Sequence, residues 1–284
     1  MRIGIFDSGL GGLSTLLACL RYLPDAHYLF YGDSAHAPYG DKSPAQVRQW
    51  TQAAYAWFIA AGVDAVVLAC NTATSAAVAP LRERADVPVI GIEPAIKKAL
   101  IDHPQGDILL LATAVTVKGV KLQELLHRLE GGQERVRPLA CSGLAEIIET
   151  QDAEWRERVS RYLQVQVRPA QPQDTRAIVL GCTHYCWIGD LIHDVLGRDI
   201  AIVDGNDGVA RQLCHRLGVP TEAGVVPPLP DHARISLYFT TDNPVKSPLA
   251  RQLLAANGVR MNSNQDQNVF LVPQQGVSRR PSDP

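Results

Sequence analysis

Short apolar, β-branched runs alternate along this chain with longer stretches of helical periodicity. Residues 2–6 read as a buried strand, 7–12 (DSGLGG) as a loop, and 13–22 as a helix stopped before Pro24. Residues 27–31 form the next expected strand, followed by a Gly- and Pro-marked loop over 32–43. Pro44 suits a first helical turn and opens a helix to about residue 61. A strand over 65–69 runs into Cys70-Asn71-Thr72 and another helix, and 88–92 is a short strand.

The rhythm then restarts, with strands expected at 108–112, 136–140, 177–181 and 200–203. Helices are expected at 117–129, 144–150, 153–165, 188–196 and 208–217. Strands separated by helical patterns of this length are βαβ units, so the fold class is α/β with mainly parallel sheet. From about residue 262 the chain turns to Asn, Gln, Ser and Pro around one apolar island at 269–272, and a loosely held tail is expected.

One internal similarity organises the rest. Residues 65–74 read AVVLACNTAT and 177–186 read AIVLGCTHYC. Each is an apolar strand, a small residue, a Cys and then polar groups leading into a helix. Two related α/β halves, each with a Cys at the carboxyl end of a strand, is the natural reading. Ligands of open α/β sheets bind at those strand ends.

Composition narrows the partners. The 284 residues are 46% hydrophobic and 20% charged, which gives ample apolar material for one large or two smaller domains. Lys+Arg 27 against Asp+Glu 29 leave a net charge of −2, with no global field toward nucleic acid or an anionic membrane. The longest small-and-apolar stretch, 65–81, contains Asn71, Thr72, Thr74, Ser75 and Pro80 and is not a membrane span. Asp7 interrupts any secretory-type apolar region near Arg2, so a reducing cytoplasm and six free thiols are expected.

A lone Cys at a strand end is ordinarily buried filler. Here both Cys70 and Cys182 are followed by polar groups (Asn71 and Thr72; Thr183 and His184) that a dry core would penalise and a polar ligand would use. Two opposed thiols suit racemisation, which removes a proton from one face of a carbon and returns one to the other. An unperturbed thiol pKa near ~8.5 makes both protonation states accessible. Asp7, His184 and Glu149 are the groups that could tune them. Asp7 reads equally as a helix cap or turn former, and Glu149 alone as a solvated helix residue. DSGLGG could instead cradle a phosphate, but it lacks the spacing and Lys of a P-loop. Cys182, His184 and Cys186 alternate, which would place them on one face of a strand as zinc ligands. No C-x-x-C accompanies them and the strand gives way at Gly181, so no metal is expected. Segments 7–12, 38–41, 69–74 and 181–186 carry no Lys or Arg. An anionic substrate there would be held by Ser8, Asn71, Thr72, Thr183 and backbone N–H groups, and no Lys stands out as a Schiff-base anchor.

The set IGIFDSGLGGLS at 3–14, YGDSAHAPYG at 31–40, ACNTAT at 69–74 and GCTHY at 181–185, with Asp204-Gly205, resembles glutamate racemase. The resemblance implies an isomerase that uses two cysteines and no cofactor to make D-glutamate for bacterial peptidoglycan, and hence for cell wall and cell shape. On it, Cys70 takes the α-proton from D-glutamate and Cys182 from L-glutamate. Asp7 assists the first thiol and His184 the second, and Glu149 is the remaining acidic helper. Ser8, Tyr39, Gly40, Asn71, Thr72 and Thr183 fall on substrate-binding positions, and Thr113 and Thr116 line the same pocket. The implied fold is two pseudo-symmetric parallel-sheet α/β domains with the active site in the cleft between them. The division expected is 1–95 plus 206–261 for the first domain, 96–205 for the second, and 262–284 for the tail. Family members are often dimers, so a homodimer is among the expected partners besides glutamate. Two features depart from the pattern: Cys186 stands where the family commonly has Pro, and residues 140–146 (ACSGLAE) are atypical. A relative acting on aspartate or another acidic amino acid is the alternative enzyme. A binding or regulatory protein without turnover is the alternative from another class, disfavoured by the intact Cys70 and Cys182.

Overall fold

The computed structural model describes residues 1–241, 246–261 and 269–271, the last as backbone only. The chain forms two compact units. The first takes in residues 1–37, 44–92 and the part from 206 onward; the second takes in 38–43 and 93–205. The short segment Pro38–Ser43, expected with the first domain from its place in the chain, thus groups with the second.

In the first unit the strands are β1 (Arg2–Asp7), β2 (His27–Gly32), β3 (Ala65–Leu68) and β4 (Val89–Gly91). The second unit has β5 (Asp107–Ala112), β6 (Val136–Ala140), β7 (Thr175–Gly181) and β8 (Ala201–Val203). The chain then returns to the first sheet with β9 (His232–Phe239), β10 (Arg260–Met261) and β11 (Val269–Leu271). All pairings among these strands are parallel.

The two sheets share one wiring. The core order in the first is β2-β1-β3-β4, and in the second β6-β5-β7-β8. In each, the first strand connects outward to one side and the third is laid on its other side. The order therefore reverses between β1 and β3, and again between β5 and β7. Such reversal points, at the carboxyl ends of the strands, open the crevices where α/β sheets take ligands. The repeat seen in the sequence is the third strand of each set.

Parallel strands covered on both faces need apolar residues at successive positions. In β5 and β7, Ile108, Leu110, Ala112, Ala177 and Val179 pack against helices Ile96–Asp102 and Val120–Arg128. Leu109, Leu111, Ile178 and Leu180 face the other way, toward helices Leu144–Thr150, Trp155–Tyr162 and Gly189–Leu196. The alternation carries past the end of β7, so Cys182 continues the face of Ile178 and Leu180.

Several expected elements are refined. The helix anticipated over 117–129 is two pieces, Ala114–Lys118 and Val120–Arg128, separated at Gly119. The one anticipated over 153–165 is regular only as Trp155–Tyr162. The pattern anticipated no element at β9 or at helix Lys246–Ala256. β9 lies beside β2, with Ala233, Ile235, Leu237 and Phe239 buried. Of the expected loose tail 262–284, Val269–Leu271 pair with β9 as a strand; the rest lies outside the described residues. No described helix is long and apolar enough to cross a membrane.

Candidate active site

The first cluster stands at the β1/β3 reversal point. Asp7, fully buried, closes β1, and its carboxylate Oδ2 accepts the N–H of Gly9 at 3.0 Å. The following helix, Leu13–Tyr22, has Gly12 at its N-cap without a side-chain cap, so Asp7 is a turn former and not the cap. Gly12 packs directly against it: a Cβ there would lie 2.6 Å from that of Asp7.

Cys70 follows β3 and is itself the N-cap of helix Asn71–Arg82. Its Sγ accepts the N–H of Ala73 at 3.5 Å and its thiol donates to Ser8 Oγ at 3.6 Å. A helix N-terminus favours negative charge, so this seat suits a thiolate. Ser8, Asn71 and Thr72 are buried around it. Asn71 is 5% exposed, yet neither its amide oxygen nor its amide nitrogen has a hydrogen-bond partner among the described residues. A buried amide left open costs about 1–3 kcal/mol per polar atom.

The second cluster stands at the β5/β7 reversal point. Cys182 follows β7 and begins a 3-10 turn, Thr183–Ile188, without a side-chain cap. Because the chain coils there, Cys182, His184 and Cys186 are not on one strand face, as the zinc alternative required. Among the described residues, no group of three or more His, Cys, Asp or Glu side chains is placed to hold a metal ion.

His184 is buried, with Nδ1 3.7 Å from Cys182 Sγ and Nε2 bonded to Glu149 Oε2. Burial alone would pull the imidazolium down; the Glu149 charge and the hydrogen bonds to Cys182 and Glu149 outweigh it and hold His184 well above the usual histidine range. Near neutral pH both ring nitrogens therefore donate, one to the sulfur and one to the carboxylate. Glu149 is no solvated helix residue, since its side chain is 10% exposed. Helix Leu144–Thr150 covers the same sheet face as Cys182, which is why its carboxylate reaches this turn.

At the end of β5, Thr113 caps helix Ala114–Lys118 by accepting the N–H of Thr116, and the two hydroxyls are 3.0 Å apart. Gly40 comes close to Thr113: a Cβ at Gly40 would lie 3.2 Å from the Thr113 Cβ. Tyr39, fully buried, begins the short 3-10 turn Tyr39–Asp41. Tyr39, Gly40, Thr113, Thr116, Thr183, His184, Cys182 and Glu149 thus belong to the second unit, while Asp7, Ser8, Cys70, Asn71 and Thr72 belong to the first.

Two contributors went unnoticed in the sequence. Tyr185 is fully buried and donates its hydroxyl to the Cys141 carbonyl at 3.2 Å, tying the Cys182 turn to the segment that leads into the Glu149 helix. Asp33 stands one residue beyond the end of β2, much as Asp7 closes β1, and a buried acidic residue at a strand end was the available signal. None of the six cysteines is in a disulfide. Burial pushes the Cys141 thiol up to about 12 and raises those of Cys19 and Cys214, the profile of inert core cysteines.

The sequence model described as Asp/Glu/Hydantoin racemase matches residues 10–213. A glutamate racemase of Clostridium perfringens is 45% identical over 216 residues, 76% of this chain and 82% of its own. One from Campylobacter curvus is 40% identical over 223 residues, 76% of this chain and 83% of its own. Among solved structures, a Bacillus anthracis glutamate racemase isoform aligns with a TM-score of 0.77 at 27% identity, covering 92% of this chain and 97% of its own. The Escherichia coli glutamate racemase in complex with L-glutamate and the activator UDP-MurNAc-Ala aligns at 0.76 and 28% identity, covering 92% and 96%. With the model match spanning well over half of its length, the chain belongs to the Asp/Glu/hydantoin racemase family.

Proposed function

We propose that the protein interconverts L- and D-glutamate by a two-base mechanism in which Cys70 and Cys182 act on opposite faces of the α-carbon. The observation that carries the reading is the pair of strand-end thiols, one at the equivalent reversal point of each sheet, each with its own polar partners. In the L-to-D direction the Cys182 thiolate takes the α-proton and the Cys70 thiol donates one to the other face. The thiol and thiolate have then exchanged places, and the D-to-L direction runs the same steps backward.

His184, charged and held by Glu149, stabilises the Cys182 thiolate that takes the proton of L-glutamate and that is left after Cys182 donates in the reverse direction. The Ala73 N–H and the Ser8 hydroxyl do this for Cys70, with Asp7 as the nearby carboxylate. The open amide of Asn71 and the hydroxyls of Ser8, Thr72, Thr113, Thr116 and Thr183 hold the substrate's carboxylates and ammonium, together with Tyr39 and Gly40. The proton moves between sulfur and carbon, so the residues themselves supply the chemistry without a cofactor. Glutamate is favoured over aspartate because the relatives named above are glutamate racemases. The physiological role in this reading is supply of D-glutamate for peptidoglycan, in the reducing cytoplasm where free thiols persist.

The test is racemisation of each enantiomer in D₂O without added cofactor, for the native enzyme and for Cys70→Ser and Cys182→Ser. Glutamate should gain solvent deuterium at the α-carbon, aspartate should turn over poorly, and each variant should lose about 10³-fold or more in kcat. Full activity in either variant, or a strict need for pyridoxal phosphate, overturns the mechanism.

A further inference from the structure

The segment that carries Tyr39 and Gly40 is rooted in contacts that the proton transfer does not use. Asp33 is 2% exposed, and its backbone N–H donates to the carbonyl of Asp7 at 2.9 Å. His36 Nδ1 lies 2.9 and 3.0 Å from the two oxygens of its carboxylate. The Thr240 hydroxyl donates to Oδ1 at 2.8 Å, and Thr240 Oγ1 accepts the N–H of Ala35 at 2.9 Å. On its other side the His36 ring lies flat against Trp50, with centroids 4.1 Å apart and planes at 17°.

These contacts have a consistent sense. His36 stands on the stem that leads out to Pro38–Ser43, and Trp50 stands on helix Pro44–Ala60, which begins where that segment ends. The stack joins the outgoing and returning stems, and Asp33 and Thr240 anchor the outgoing one to β2 and to the residue after β9. The His36 side chain is still 31% exposed, so burial does not account for its being held on two sides.

We propose that Asp33, His36, Trp50 and Thr240 are positioning residues that hold both stems of Pro38–Ser43 and thereby fix where Tyr39 and Gly40 stand. The inference rests on the reading of Tyr39 and Gly40 as substrate-binding residues. A segment ordered before binding spares the substrate that ordering cost. The cost is the same for bound substrate and transition state, so loss of the brace raises KM and leaves kcat in place.

Steady-state kinetics on His36→Ala, Trp50→Leu and His36→Asn, with hydrogen exchange across residues 34–42, test this. His36→Ala and Trp50→Leu should raise KM about tenfold with kcat within about twofold, and should speed exchange over that segment. His36→Asn, whose amide N–H can replace Nδ1 as donor to Asp33 but which lacks the ring that lies against Trp50, should return only part of the KM, to about the level of Trp50→Leu. The proposal is overturned by native KM in His36→Ala and Trp50→Leu, or by a fall in kcat at unchanged KM. Should His36→Ala fold poorly, His36→Phe keeps a flat ring over Trp50 but lacks the donor, and a native KM there is equally fatal. Absence of glutamate turnover in the native enzyme would sink the proposed activity instead; exchange over 34–42 would still decide the brace, with unchanged rates in Trp50→Leu counting against it.

Discussion

The two thiols occupy equivalent places in two equivalent sheets, and their surroundings are not alike. Cys70 caps a regular helix and is served by a backbone N–H and a neutral hydroxyl. Cys182 opens a 3-10 turn and faces an imidazole that a carboxylate keeps charged. In the proposed mechanism one seat would stabilise a thiolate with a helix N-terminus and a hydroxyl, the other with a titrating ion pair. On that reading the topology supplies the position of a base, and local side chains decide how it is tuned. A consequence is that only the second seat should carry a pH signature of its own partner.

The largest test of this asymmetry is His184→Asn, which removes the cation beside Cys182. We expect kcat to fall by about 10²–10⁴-fold. The two enantiomers are equal in energy, so kcat/KM must fall equally in both directions. The asymmetry shows instead in isotope effects. If Cys182 serves L-glutamate, the primary effect with α-deuterated L-glutamate should grow more than with the D-isomer; equal growth would mean that the two seats are not specialised.

Next in size is Glu149→Gln, which keeps a hydrogen bond but removes the charge that raises His184. A hydrogen bond to a charged group is worth about 1.5–3 kcal/mol, so kcat should drop about 10- to 100-fold. This variant also has a stability readout with a definite sign. The folded pKa of His184 lies above its unfolded value near ~6.5, so its protonation adds stability that is complete below that value. The contribution is lost as pH rises through the folded pKa. Denaturant titrations should therefore show the native protein leading Glu149→Gln most below about pH 6.5, with the gap closing toward alkaline pH. A gap independent of pH would remove the ion pair from the account.

Ser8→Ala probes the first seat. A neutral hydroxyl contributes about 0.5–1.5 kcal/mol, which predicts a loss of about two- to tenfold in kcat with an unaltered pH profile. The smallest expected kinetic effect is that of Tyr185→Phe. It removes one of the two hydrogen bonds that the Cys141 carbonyl accepts, the Leu144 N–H remaining at 3.4 Å, and should lower stability by about 0.5–1.5 kcal/mol, seen in thermal unfolding, with at most a few-fold change in rate.

The α/β class was readable because parallel strands buried on both faces are continuous apolar runs, and βαβ crossovers impose helical stretches between them. β9 escaped that reading since the rhythm of strand and helix had already closed after residue 217. Its place beside β2 depends on a partner some two hundred residues away in sequence. Within the site, Cys70 and Cys182 were legible as a pair through the internal repeat. Asp7 and His184 were legible because each is a polar residue at or just beyond the end of a buried strand.

Glu149 shows the opposite case. In the chain it is one acidic residue on a short helix, with nothing local to separate it from Glu146. Its place beside His184 follows from alternation along β7, which turns Cys182 to the face of Ile178 and Leu180, and from helix Leu144–Thr150 covering that face. The same holds for His36, which reads as part of a surface loop until the fold sets Asp33 beneath it and Trp50 against its ring.

Local order and chemical type were thus written in the residues: the strands, the pairing of two cysteines, the absence of Lys and Arg from the segments that carry them. Which groups touch which sulfur was not. Contacts between distant segments depend on sheet order and face parity, and these exist only once the strands have paired and the helices have packed.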